Sequence, residues 1–171
     1  MQSMAVRIVV ACSVLACAVP LWAEPAQDPL SPLRALAGRW EGTTSTGRKL
    51  AISYKSIAND SVVVETWRSP SGRETMTVYH MDGSKVIATH YCAQGNQPRL
   101  KLVGSGAAGR MHFLFQDATN LASEEASHLH EFWIERTGAE TMKRSETYRE
   151  KGEADEEIAV LTRVAPASSP D

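Results

Sequence analysis

Residues Glu74–Arg99 read ETMTVYHMDGSKVIATHYCAQGNQPR, and this stretch decides the fold. Asp82-Gly83 is a strong two-residue hairpin signal, because both central residues of a type I′ turn need φ > 0. The flanking runs are rich in Thr, Val, Tyr and Ile, which fit a pleated surface. The second run delivers His90, Tyr91 and Cys92 into a polar corner, Gly95-Asn96-Gln97-Pro98-Arg99. With Asp82-Gly83 as the turn, Tyr79 pairs with Val86, Thr77 with Ala88 and Thr75 with His90. One face then carries Thr75, Thr77, Tyr79, Val86, Ala88, His90 and Cys92, since side chains two apart on a strand share a side. The opposite face, with Met76, Val78, His80, Ile87 and Tyr91, is the alternative buried side. Small and hydroxyl-bearing residues suit a barrel interior that leaves room for a ligand, which favours the first face.

Outward from this hairpin the punctuation is regular. Turn signals fall at Gly47, Asn59-Asp60, Ser69 to Gly72, Gly95-Asn96, Gly104 to Gly109, Gly138 and Gly152. Most intervals are near the ~8–12-residue spacing of an all-β sandwich or barrel. Leu50, Ile52 and Tyr54 alternate with polar neighbours, as do Met111, Phe113 and Phe115, and Ile158 and Val160. A period of two in consecutive segments means strands with one buried face. The fold class expected is all-β: a single up-and-down antiparallel β-barrel of about ten strands. Ser31-Pro32 predicts a short N-terminal helix over Leu33 to Ala37. Within Asp117 to Ser127, Asn120 could cap a turn of helix over Leu121 to Ala126, so this segment reads as a loop or a lid.

The chain has 171 residues, enough for one domain. Residues 1–23 read as a secretory signal peptide: Arg7 precedes an apolar run from Ile8 to Leu21, and Ala23 precedes Glu24-Pro25. That run is short of the ~20 apolar residues of a transmembrane segment. Residues 24–30 read as a linker, 31–164 as the barrel and 165–171 as a disordered tail. Cleavage at Ala18 or Cys17 is the alternative to Ala23, and Val14-Leu15-Ala16-Cys17 resembles the lipobox of bacterial lipoproteins, which implies a lipid anchor at Cys17. The expectation is a secreted or periplasmic protein. Only Cys92 lies beyond the leader, so no disulfide can form within the domain. Losing Arg7 with the leader takes the net charge from −2 to −3, and weak acidity argues against nucleic acid as a main partner.

Leu36-Ala37-Gly38-Arg39-Trp40-Glu41-Gly42 resembles the Gly-x-Trp opening of the calycin barrels, the lipocalins and their relatives. The resemblance implies a short helix before the first strand, with Trp40 plugging the closed end and Arg163 stacked over it. The nitrobindin-like members carry a haem-binding histidine near the C-terminus, and no histidine follows His130 here. The hairpin also resembles a stretch of secreted bacterial proteins of unassigned function.

The candidate chemistry is thin. Cys92 as a nucleophile needs a base within reach, and His90 at i−2 stands too far along the strand. His128 and His130 are expected on the face of Phe132 and Ile134, where they could share a metal with His90 or Cys92. Arg99 offers a planar fork to an anionic group at the barrel rim. Lys143-Arg144 and Glu153 to Glu157 read as solvated charge runs. The leading reading is a binding barrel for a small, largely apolar or amphipathic ligand, with no cofactor. Its expected lining is Thr77, Tyr79, His90, Cys92, His130 and Phe132, with Arg99 at the rim. The alternatives are a barrel enzyme, an isomerase or a haem- or metal-dependent one using His90, Cys92, His128 and His130, and a filled barrel acting through its surface.

Overall fold

Ten strands follow one another with short connections in a computed structural model that describes residues 28–105 and 109–165. The leader with Cys12 and Cys17, the first part of the linker and nearly all of the tail lie outside the described residues. After α1 (Ser31–Arg34) come β1 (Gly38–Thr44), β2 (Lys49–Ile57), β3 (Val62–Arg68), β4 (Glu74–Asp82) and β5 (Lys85–Tyr91). They are followed by β6 (Gln97–Ser105), β7 (Met111–Thr119), β8 (His128–Arg136), β9 (Thr141–Glu150) and β10 (Glu153–Val164). Each strand pairs antiparallel with its neighbour in sequence, and β1 pairs with β10 to close the barrel. Closure leaves no sheet edge to be protected from intermolecular pairing. The expected architecture of an up-and-down meander is therefore the observed one.

The β4–β5 hairpin keeps its expected faces but changes its turn. Asp82 pairs with Lys85, so the two loop residues are Gly83-Ser84 rather than Asp82-Gly83. Gly83 alone has positive φ, 58°, as a II′ turn with glycine in first place requires. Tyr79 now faces Ala88 and Thr77 faces His90. Moving the turn by one residue slides every pair by two, and a slide of two preserves the face. Thr77, Tyr79, Ala88 and His90 are accordingly buried, while Tyr91 is exposed.

One barrel end is closed by α1 and the start of β1. Pro32 lies in the first turn of α1, where its missing N–H costs nothing. Leu30 stands at the N-cap position with no side-chain cap, and its own amide donates to Asp28 Oδ1 at 2.9 Å just before the helix. Leu33 and Leu36 pack on Trp40 in the core. The Trp40 indole N–H donates to the Leu36 carbonyl at 2.8 Å, and the Arg163 guanidinium lies 4.2 Å above the ring centre. Arg163 also donates to the carbonyls of Ala35 and Ala37, tying β10 to the helix. A buried indole with a cation on its face gains both area and electrostatic attraction.

Two elements depart from expectation. On β10 the buried residues are Ala159 and Leu161, and Val160 is 57% exposed. Pairing with β1 sets this face, because Gly42 opposite Leu161 and Trp40 opposite Arg163 must share the interior. The 120–127 segment forms no helix. Asn120 adopts φ 54°, and the Lys151 amide donates to the Glu125 carbonyl at 2.9 Å, fastening the loop to the β9–β10 turn.

Candidate functional site

The lower interior is packed with apolar side chains, including Phe113 stacked on Phe132 at 4.5 Å. Above them lies a polar layer that the apolar strand pattern hides. Glu65 on β3 and Arg144 on β9 are both fully buried and meet across the barrel, Arg144 Nη2 to Glu65 Oε1 at 3.1 Å. The Tyr79 hydroxyl donates to Glu65 Oε2 at 2.5 Å, and the Trp67 indole N–H donates to Oε1. Arg144 donates to the Ser145 carbonyl and lies 4.0 Å above the Phe132 ring. Burial pushes the Glu65 carboxyl up, but the Arg144 charge and the three donors outweigh it, and its pKa lies below the ordinary carboxylate value. Tyr54, opposite Glu65 in the β2–β3 ladder, has a buried hydroxyl with no partner among the described residues. Burial raises the phenols of Tyr54 and Tyr79 well above their ordinary value.

Beside this layer runs a chain of weaker polar contacts. His90 Nδ1 and Thr77 Oγ1 are 3.0 Å apart, and His90 Nε2 stands 3.4 Å from the Tyr148 hydroxyl. That hydroxyl is 3.8 Å from Cys92 Sγ. Burial, then the Arg144 charge, lowers the His90 pKa to about 4. His90 is thus neutral at physiological pH and a poor base, and it touches Cys92 only through Tyr148.

The other barrel end is open. A cavity of about 1120 Å³ enters it, with Leu50, Trp67, Thr75, Cys92, Glu146 and Tyr148 on its inner walls. Glu146 is the unusual member. Its Oε1 is buried, has no hydrogen-bond partner among the described residues, and lies 3.5 Å from Arg144 Nη2. Burial raises the Glu146 pKa to about 7, with Glu65 adding to the shift and Arg144 and Arg48 opposing it. At the mouth Arg48, Lys49, Arg68 and Arg73 come from the β1–β2 and β3–β4 hairpins. Glu150, Lys151, Glu153 and Asp155 come from the β9–β10 hairpin on the other side.

Of the expected lining residues, Cys92 is on the cavity wall, half-buried. Thr77, Tyr79, His90 and Phe132 point inward as expected but belong to the packed layers beneath it. His128 and His130 depart from the Phe132 face. A register shift between Leu129 and Glu131 makes His130 the extra residue of a bulge, and Leu129 takes the core position. The two imidazoles instead cluster with Phe115, at ring distances of 4.7 and 5.4 Å. Among the described residues no three His, Cys, Asp or Glu side chains gather as a metal site. Arg99 lies on the outer face, in a two-bond pair with Asp117 at 2.5 and 2.6 Å.

Glu65, Trp67, Arg144, Glu146 and Tyr148 were not anticipated. Arg144 in particular is buried rather than part of a solvated run. A signal existed: Val63-Glu65-Trp67 and Met142-Arg144-Glu146-Tyr148 place opposite charges on faces whose other members are apolar or aromatic.

Fold and site define a closed ten-stranded antiparallel barrel with one plugged end and one open, polar-floored end. No family model matches the chain, and no curated protein matches it. Among solved structures it is similar to a protein of unknown function of the DUF3598 family from Nostoc punctiforme. The TM-score is 0.50 at 13% identity, over 77% of this chain and 49% of that one. The chain spans about half the length of that neighbour, and the likeness is one of fold.

Proposed function

We propose that this protein is a secreted, calycin-like carrier that holds one small amphipathic molecule, largely apolar in body, in the open end of its barrel. The observation that carries the reading is the cavity of about 1120 Å³ above the Glu65–Arg144 layer. Binding sites typically combine apolar and aromatic walls with a few convergent polar groups. Here Leu50, Trp67 and Tyr148 offer the walls, and Glu146 with the Tyr148 hydroxyl offers the polar groups. Trp40 under Arg163 supports the calycin likeness, and the charge-free run after Arg7 supports export.

The test is titration of the full chain with N-phenyl-1-naphthylamine, a neutral apolar fluorophore, alongside Thr75→Trp, which fills the cavity from its wall. Saturable one-site binding that Thr75→Trp abolishes is expected. Absence of binding, or binding untouched by that substitution, overturns the reading.

A further inference from the structure

We infer that the occupant of the cavity is an organic cation, its apolar body against Leu50 and Trp67 and its protonated amine on the Glu146 carboxylate. The inference rests on the ligand-binding reading above and adds the charge of the ligand.

The argument begins with the charges inside the barrel. Among the described residues the deep interior holds two carboxylates, Glu65 and Glu146, and one guanidinium, Arg144. Arg144 is committed to Glu65 at 3.1 Å, and Tyr79 and Trp67 complete that carboxylate's hydrogen bonds. Glu146 stands at the longer distance of 3.5 Å, with its buried oxygen unpartnered. The nearest further pair, Arg48 with Glu157, is closed on itself: Glu157 lies opposite Glu146 in the β9–β10 ladder. With Glu146 ionised, the interior is therefore one positive charge short. A buried charge is tolerated when paired, so a cation entering beside Glu146 gains a partner that a neutral or anionic ligand lacks.

A second feature points the same way. Trp67 and Tyr148 border the cavity with Glu146, and aromatic faces attract cations. The rim itself is mixed in sign, Arg48, Lys49, Arg68, Arg73 and Lys151 standing with Glu150, Glu153, Asp155 and Glu157, so the preference for a cation is set at Glu146 and not by steering at the mouth. The groups facing Glu146 are Arg144, Glu65, Arg48, Glu157 and Tyr148, and with them it titrates near pH 7. A bound ammonium holds Glu146 ionised, so binding near pH 6 releases a proton.

The experiment compares decylammonium, decanol and decanoate, which share one chain, by calorimetric titration into the full-length protein at pH 8 and pH 5. At pH 8 decylammonium should bind roughly tenfold more tightly than decanol, with decanoate weakest. The preference should vanish at pH 5, and heats at pH 6 in two buffers should report proton release. Glu146→Gln should bring decylammonium down to the affinity of decanol, whose binding also shows that the variant is folded. Decanol or decanoate binding as tightly as decylammonium at pH 8 overturns the inference and leaves the carrier reading standing. So does a preference that survives in Glu146→Gln. If none of the three binds, the carrier reading itself falls, and the inference with it.

Discussion

Arg144→Met converts the centre of the barrel into an isolated buried carboxylate. Both partners of the Glu65–Arg144 pair are fully buried, so the side chain left behind cannot turn to water. Breaking such a pair typically costs about 3–5 kcal/mol. Tyr79 and Trp67 still donate to Glu65 in the variant, which puts the expected loss at the lower end, about 3 kcal/mol. The pH dependence gives the sharper signature. In the parent protein the Glu65 pKa is depressed. Its stabilisation is therefore present above the unfolded value of about 4.3 and is lost as pH falls through the folded one. Without Arg144, burial dominates and the folded pKa rises above the unfolded one. The variant's deficit should then be greatest at pH 8 and shrink toward pH 5, by about 1.4 kcal/mol per unit of upward shift. Urea unfolding followed by tryptophan fluorescence measures this at both pH values. Glu65→Gln/Arg144→Met should recover most of the loss, and any pH dependence it retains belongs to Glu146, which also loses Arg144. A single-variant deficit below about 1 kcal/mol at pH 8, or a double variant as unstable as the single one, would refute the argument.

Further expectations follow from other parts of the barrel. Gly42→Ala places a Cβ 1.9 Å from the Val160 carbonyl oxygen, a backbone atom that cannot yield without opening the β1–β10 seam. A loss of more than about 2 kcal/mol in urea unfolding is expected, and a near-neutral result would mean that the seam adjusts. His90, with its pKa lowered to about 4, contributes stability above the unfolded value of about 6.5 that is lost as pH falls toward 4. The stability of His90→Gln should therefore vary less than that of the parent between pH 7 and pH 4.5, and equal slopes would show that the imidazole does not titrate as described. Cys92, half-buried on the cavity wall, should react with a small maleimide in the folded protein and be protected by bound N-phenyl-1-naphthylamine. Reaction that occurs only in denaturant would place the thiol in the core.

The barrel was legible because turns and alternation are local. Asp82-Gly83 located the central hairpin even though the loop itself is Gly83-Ser84, since the error of one residue in the turn left every face unchanged. Trp40 and Arg163 were legible only through a resemblance, because a contact between residues so far apart leaves no trace in periodicity. The polar layer shows the same limit. Glu65 and Arg144 are separated by 79 positions, and each alone reads as an ordinary surface charge until closure brings them together. His128 and His130 failed for a different reason: a bulge at His130 inserts one residue into the count, and nothing in His-Leu-His announces it. On β10 the more apolar parity, Ile158 and Val160, lost to the face that closure on β1 imposes.

The β1–β10 seam also bears on how the chain reaches this structure. Of the ten strand pairings, nine join neighbours in sequence and can form as hairpins, each closing a short loop at small entropic cost. The tenth joins Trp40 to Arg163 and Gly42 to Leu161, and must wait for the last strand of the domain. Until then β1 and β9 both remain open edges, and Trp40 lacks the cation that covers its ring. A ribosome or an export channel that releases the chain from its N-terminus thus delivers an open sheet first. The final dozen residues of β10 turn it into a barrel, so late truncation should yield an aggregation-prone meander instead of a smaller version of the same protein.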